Sequence, residues 1–239
     1  MLLLLPLNIL AVGVKDTLTV DGITYEVTVY NQTTGEKFAK VRNVLKGGAV
    51  TIPETVQFTI DNTFIVNEFG GTYNGGNKNV TSLTLPNTIT KITGDQSFGD
   101  FDGLTELKLP TGIESIADGC FAGMEKLKAF GWNDETGTNN NYFTIEDGIL
   151  YNKSQTDLLK VPQAYPLSGE MKFTLKESVT TIHKKSLTGW GNVVTIHLGA
   201  NVTTIAEGGI GSDKSLINIT VDGGNPNFSS QEGILCNKE

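Results

Sequence analysis

The chain has 239 residues, with 26 acidic against 18 basic side chains and a formal charge of -8. That balance excludes a surface built to neutralise phosphates, which needs clustered Lys and Arg, so nucleic acid is not an expected partner. An apolar content of 38% can fill a core, and 28 Gly beside 7 Pro describes a chain of tight turns rather than a disordered one.

Residues 1–14, MLLLLPLNILAVGV, are apolar for most of their length and stop at Lys15 and Asp16. A helical bilayer span takes about 20 apolar residues, so the segment is too short to be an ordinary transmembrane helix. A secretory signal explains the short apolar run and the small residues Ala11 and Gly13, although a basic start is missing and Pro6 and Asn8 interrupt it. A misassigned start codon and a buried N-terminal strand are the alternatives. Thr17 to Val20 and Ile23 to Tyr30 then alternate in polarity around Asp21-Gly22, as a hairpin with a two-residue turn does. Phe38 to Val44 and Ala49 to Pro53 read as two further strands. Together, residues 15–60 are expected to form a β cap over the apolar end of the units C-terminal to them.

From residue 61 the chain is a repeat array. Phe58 to Asn79 is a degenerate unit, and from Val80 the units are regular. Leu104 to Lys126 and Val193 to Ser215 align without a gap, Leu107, Leu109, Ile113, Ile116 and Phe121 matching Ile196, Leu198, Val202, Ile205 and Ile210. Val80 to Gly103 fits with one extra residue, and Met171 to Asn192 from its second position onward. Self-similarity at this period is the signature of a solenoid, in which no unit can bury its apolar face alone. Each unit has an alternating strand, a second short run with two β-branched residues three apart, and a turn or single helical turn carrying Phe98, Phe121, Leu187 or Ile210.

An insertion at about 130–169 interrupts the array. Its centre, Asn141 to Lys153, is partly repeated by Asn227 to Lys238, with Phe143 on Phe228 and Gly148 on Gly233, and both copies read as β-hairpins. The second, over 222–239, is expected to be cut off inside a repeat. Cys120 takes the place of Ser97 and Ser186 before a core residue, and Cys236 the place of Tyr151, so two unpaired thiols are expected.

The pattern L-x-x-L-x-L-P-x-x-I-x-x-I-x-x-x-x-F, together with N-x-x-F-x-x-x-D-G-I-L-Y-N-K, resembles the BspA-like leucine-rich-repeat proteins from about Thr51 to Glu239. The resemblance implies a β-rich solenoid, a right-handed coil of short strands and helical turns, with an N-terminal β cap and hairpin insertions. It also implies a secreted or cell-surface protein of a host-associated bacterium, since better-understood members are adhesins for matrix proteins or other cells.

Catalysis needs converging acid, base or nucleophile groups, and the sequence offers little of that kind. His183 falls at the position of Ala117 and His197 at that of Lys108, on different parts of different units. The acidic pairs Asp134-Glu135 and Glu146-Asp147 read as turn chemistry with a weak case for Ca²⁺, and the Gly-Gly pairs at 47, 70, 75, 208 and 223 lack the Gly-Lys-Ser/Thr of a phosphate loop. No enzyme activity, metal or cofactor is expected. What emerges is a stripe of residues that alternate with the inward Leu-x-Leu pairs: Thr84, Lys108, Thr174, His197 and Thr220, flanked by Ser82, Glu106, Lys172, Thr195 and Asn218. A polar ladder of this kind is either a binding surface for an extracellular protein or glycan or simply a soluble sheet face. Trp132 and Trp190 are secondary contact candidates. A monomeric binding module is therefore the expectation, with a structural spacer in a longer surface protein as the alternative.

Overall fold

The structure is a computed structural model that describes residues 12–71, 76–134, 140–211 and 213–238. Most of the leader, Glu135, Gly75 and Glu239 lie outside the described residues. The N-terminal segment folds as a meander of β1 (Thr17–Val20), β2 (Ile23–Tyr30) and β3 (Lys37–Val44), with β2 antiparallel to both neighbours. Ile23, Tyr25 and Val27 alternate inward from β2 and are almost fully buried, so one face of the meander closes the end of the core.

Behind it the chain coils. One column of parallel strands begins with β4 (Gly48–Thr51). The hairpin of β5 (Thr55–Thr59) and β6 (Asn62–Phe69) comes next, β6 lying parallel to β3. The degenerate unit is thus a hairpin whose second strand enters a second column. Then come β7 (Val80–Thr84), β8 (Lys91–Ile92), β9 (Glu106–Leu109), β10 (Ser115–Ile116) and β11 (Ala129–Trp132). In the first column β4 pairs β7 and β9 pairs β11, while in the second β6, β8 and β10 succeed one another in parallel.

The insertion contributes β12 (Phe143–Glu146), β13 (Ile149–Asn152) and β14 (Asp157–Lys160). Coiling resumes through β15 (Lys172–Thr174), β16 (Thr181–Ile182), β17 (Thr195–Leu198), β18 (Thr204–Ile205) and β19 (Asn218–Val221), and ends in the hairpin of β20 (Phe228–Gln231) and β21 (Ile234–Asn237). β15, β17 and β19 continue the first column, and β14, β16 and β18 the second. Three of the hairpin tips, Asp21-Gly22, Asp147-Gly148 and Glu232-Gly233, have positive φ at both residues, the turn whose twist suits a two-residue hairpin.

The described residues contain no helix, so the expected helical turns are absent. The reason lies in the hydrogen bonds. Amides that would close a helical turn point instead at the next unit: Phe98 N donates to Cys120 O at 2.9 Å and Leu187 N to Gly209 O at 2.8 Å. The bulky residues at these turns form an aromatic spine, Phe98 stacking on Phe69 at 4.5 Å and touching Phe121 at 5.2 Å, with Phe121 edge-on to Phe130. At the position before the core residue, Ser186 Oγ lies within 2.9 Å of the carbonyl oxygens of Leu158, Leu159 and His183, among which its single proton is shared. Cys120, a free thiol, takes the equivalent place. Cys236 is also free.

The core has two parts, and they meet at β13. Leu150 packs into the part that runs back to Ile23, whereas Ile149 and Tyr151 pack into the part that runs on to Val202. All three are buried, at 0 to 5% exposure. A strand buried on both faces has no polar side, which is why this stretch lacks the alternation seen elsewhere.

Candidate functional site

The face is built by alternation. Leu83, Leu85, Leu107, Leu109, Phe173, Leu175, Ile196 and Leu198 are all buried, so the residues between them must project outward. Ser82, Thr84, Glu106, Lys108, Lys172 and Thr174 are exposed, and Thr195, His197, Asn218 and Thr220 are half-buried. On β15, β17 and β19 two columns run in register, Lys172–Thr195–Asn218 and Thr174–His197–Thr220. His197 Nδ1 lies 2.8 Å from Thr220 Oγ1, tying the second column together.

The remaining residues do not join that ladder. Ser82 and Thr84 stand beside Ala49 and Thr51, whereas Glu106 and Lys108 stand beside Ala129 and Gly131. The stripe is therefore three groups on one face, because the first column is interrupted twice. Between β7 and β9 the strands are unpaired, and Asn133 Nδ2 reaches Leu85 O at 3.2 Å and Asn87 Oδ1 at 2.9 Å. A groove of about 410 Å³ opens there, with Ser82, Thr84, Glu106 and Lys108 on its walls. Between β11 and β15 the tip of the β12–β13 hairpin intervenes, held by Phe130 N donating to Gly148 O at 2.9 Å. A second groove, of about 380 Å³, separates that hairpin from β15 and includes Lys172 and Thr174.

Around the second groove the electrostatics are local. Lys176 Nζ binds both Glu146 Oε2 and Gln155 Oε1, and the hydrogen bond from Lys176 holds the Glu146 carboxyl below its ordinary range. Burial raises the Tyr165 phenol, and the nearby Asp147 carboxylate raises it further. Tyr165 lies edge-on to Phe173, which in turn lies edge-on to Trp190 at 4.9 Å. Trp190 is 2% exposed and sits beneath the face, so it is a core residue and not a contact group. Trp132 is half-buried against the first part of the core.

His183 has partners that the sequence did not signal. Its Nδ1 lies 2.6 Å from Asp118 Oδ1 and its Nε2 3.8 Å from Asp157 Oδ2, beside a second cluster in which Lys184 and Lys185 both reach Asp95 at 3.0 Å. These pairs join the turn after β16 to the turns after β8 and β10, well away from His197 on β17. The two histidines thus serve separate parts of the coil.

Three buried polar groups also escaped sequence reasoning. Asn140 Nδ2 donates to Thr111 O and Ile113 O, while its Oδ1 accepts from the amides of Tyr142 and Phe143. Asn225 repeats the arrangement with Gly199 O, Val202 O and the amides of Asn227 and Phe228. Lys153 Nζ and Lys238 Nζ bind the carbonyls of the two asparagines. The N-x-x-F and N-K ends of the hairpin motif were the available signal. The third group is Lys160, 2% exposed, whose Nζ donates to Lys185 O at 2.9 Å and Thr188 O at 3.3 Å. Burial lowers its pKa to about 7.

Among the described residues no group of three or more His, Cys, Asp or Glu could hold a metal ion, and no helix is long and apolar enough to cross a membrane. A family model described as a BspA-type leucine-rich-repeat region matches the chain in six copies, over residues 72–166 and 163–231. No curated protein matches. Among solved structures the chain is similar to a leucine-rich cell surface protein from Faecalibacterium prausnitzii, at 12% identity and TM-score 0.48, covering 85% of this chain and 76% of that one. It is similar to the pneumococcal vaccine antigen PcpA at 13% identity and TM-score 0.37, covering 90% and 84%. A leucine-rich-repeat protein from Eubacterium ventriosum matches at 17% identity and TM-score 0.41, covering 84% and 70%.

Proposed function

The chain belongs to the BspA-type leucine-rich-repeat family, and from that premise we propose that it is an exported or cell-surface module that binds a protein or glycan without catalysis. The ligand face consists of Ser82, Thr84, Glu106, Lys108, Lys172, Thr174, Thr195, His197, Asn218 and Thr220. One observation carries the reading: two in-register polar columns on β15–β17–β19 begin at one groove, lined by Lys172 and Thr174, and Ser82, Thr84, Glu106 and Lys108 of the same stripe line a second. A solenoid presents such a face as an extended, rigid surface, because every outward side chain is fixed by an inward neighbour in the core. Hydroxyl, amide and charged groups at strand spacing suit a polar, extended ligand more than a small apolar one.

The test is a binding screen of the purified protein against immobilised matrix proteins and glycans at two salt concentrations. A saturable response to one ligand class supports the reading. Silence across the screen, from protein shown to be folded by circular dichroism, favours the spacer role instead.

A further inference from the structure

The groove between the hairpin and β15 has one wall made of unpaired backbone. In a parallel pair, alternate residues turn their N–H and C=O toward the same neighbour. Thr195 N donates to Met171 O and Leu175 N donates to His197 O, with Phe173 opposite Ile196, so Met171, Phe173 and Leu175 face β17. The N–H and C=O of Lys172 and Thr174 therefore point the other way, into the groove, and β15 has no strand partner on that edge among the described residues. An exposed strand edge is a template for another strand.

The opposite wall is anionic. Lys176 already neutralises Glu146, whereas Asp147, exposed at the hairpin tip, has no ion-pair partner among the described residues. Between the walls lie the rings of Tyr151, Tyr165 and Phe173. The cation on β15 itself is Lys172, which is exposed on the outward face and makes no ion pair with Asp147. The chain as a whole carries a charge of -8.

We propose that this groove takes an extended polypeptide segment of a partner protein, which adds as a strand to the free edge of β15 and sets a basic side chain against Asp147 over the tyrosine rings. Main-chain pairing supplies sequence-tolerant affinity, and the side-chain pocket supplies preference. Glycans lack the alternating N–H and C=O that this edge demands. The inference rests on the reading of the strand face as a binding surface and names the class of its partner.

The probes are a short alternating Thr-Val peptide with one central Lys, the same peptide with norleucine in place of Lys, and a neutral glucan oligosaccharide. Hydrogen exchange should show the Lys172 and Thr174 amides protected by either peptide and not by the oligosaccharide. The Lys peptide should bind about two- to fivefold more tightly than the norleucine peptide, the range of an exposed ion pair. Asp147→Asn should abolish that preference, since Asn tolerates the positive φ of the turn. Thr174→Pro should abolish peptide binding while keeping the melting temperature, because proline is accepted on a strand edge and removes only the outward N–H. Unchanged peptide affinity in Thr174→Pro, a charge preference that survives Asp147→Asn, or protection of the two amides by the oligosaccharide would each overturn the proposal. If neither peptide binds, this inference falls, and the binding-face reading is judged by the ligand screen alone.

Discussion

At the scale of single residues, the hairpins are held by polar groups that the core swallows. Asn140 makes four hydrogen bonds from a side chain that is 2% exposed, and Asn225 does the same at 0%. Asn140→Asp keeps the shape but cannot donate to Thr111 O and Ile113 O, and it places a charge beside two carbonyls. A loss of about 2–4 kcal/mol is expected, read as a shift in the urea midpoint at unchanged slope. Lys160 makes a different prediction. Its folded pKa of about 7 lies below the ordinary 10.5. Below pH 7 both states carry the proton, and the cost of burying the charge is present in full. As pH rises from about 7 to 10.5 the folded amine releases its proton while the unfolded one keeps it, so stability rises. The gain is about 1.4 kcal/mol per pH unit. Chemical denaturation between about pH 7 and 8.5 should show this rise for the natural chain and not for Lys160→Met. Above that range the Cys120 thiol, pushed up by burial, ionises only in the unfolded chain and opposes the gain. The repeated N-x-x-F marks the two Asn positions, but neither their burial nor that of Lys160 was legible beforehand. A buried Asn has the same letter as a turn Asn, and a Lys inside a Leu-Leu-Lys-Val strand looks like the solvent-facing member of an alternation.

At the scale of elements, the strands were legible because burial enforces period two, and the inward Leu, Ile and Phe residues of the regular strands reappear in the core. The helical turns are not borne out. A bulky residue between small ones suits one turn of helix, but the neighbouring unit offers carbonyls that the amides of Phe98 and Leu187 take instead. The insertion was readable as a hairpin from Asp147-Gly148, yet its place between β11 and β15 was not, since that depends on the fit of the tip. Gly148 has φ +78°, and a Cβ there would stand 2.8 Å from the Cβ of Ala129. Gly148→Val should therefore strain the turn and push the tip off β11, at about 1–3 kcal/mol. Hydrogen exchange at the Phe130 amide, which the Gly148 carbonyl now holds, should speed up while the β17 amides stay protected. Equal loss of protection in both places would show that the tip and the later units unfold together.

At the scale of the whole molecule, the two parts of the core share β13, and the His183–Asp118 contact and the ion pairs of Lys184 and Lys185 with Asp95 reach across the same region. The pairs are half-exposed and are expected to add little stability, so β13 together with β14, whose Leu159 packs on the earlier part and Leu158 on the later one, joins the units before the insertion to those after it. The stripe itself was legible as alternation. Its division into three groups was not, because pairing between β7 and β9 fails for reasons no single residue announces. The measurement that tests the binding role most directly is the affinity of the triple variant Lys108→Ala, Thr174→Ala and His197→Ala for whichever ligand the screen yields. The face predicts at least about a tenfold loss, near 1.4 kcal/mol, at an unchanged melting temperature. Equal affinity in a folded variant would contradict it and remove the strand face from the account of binding.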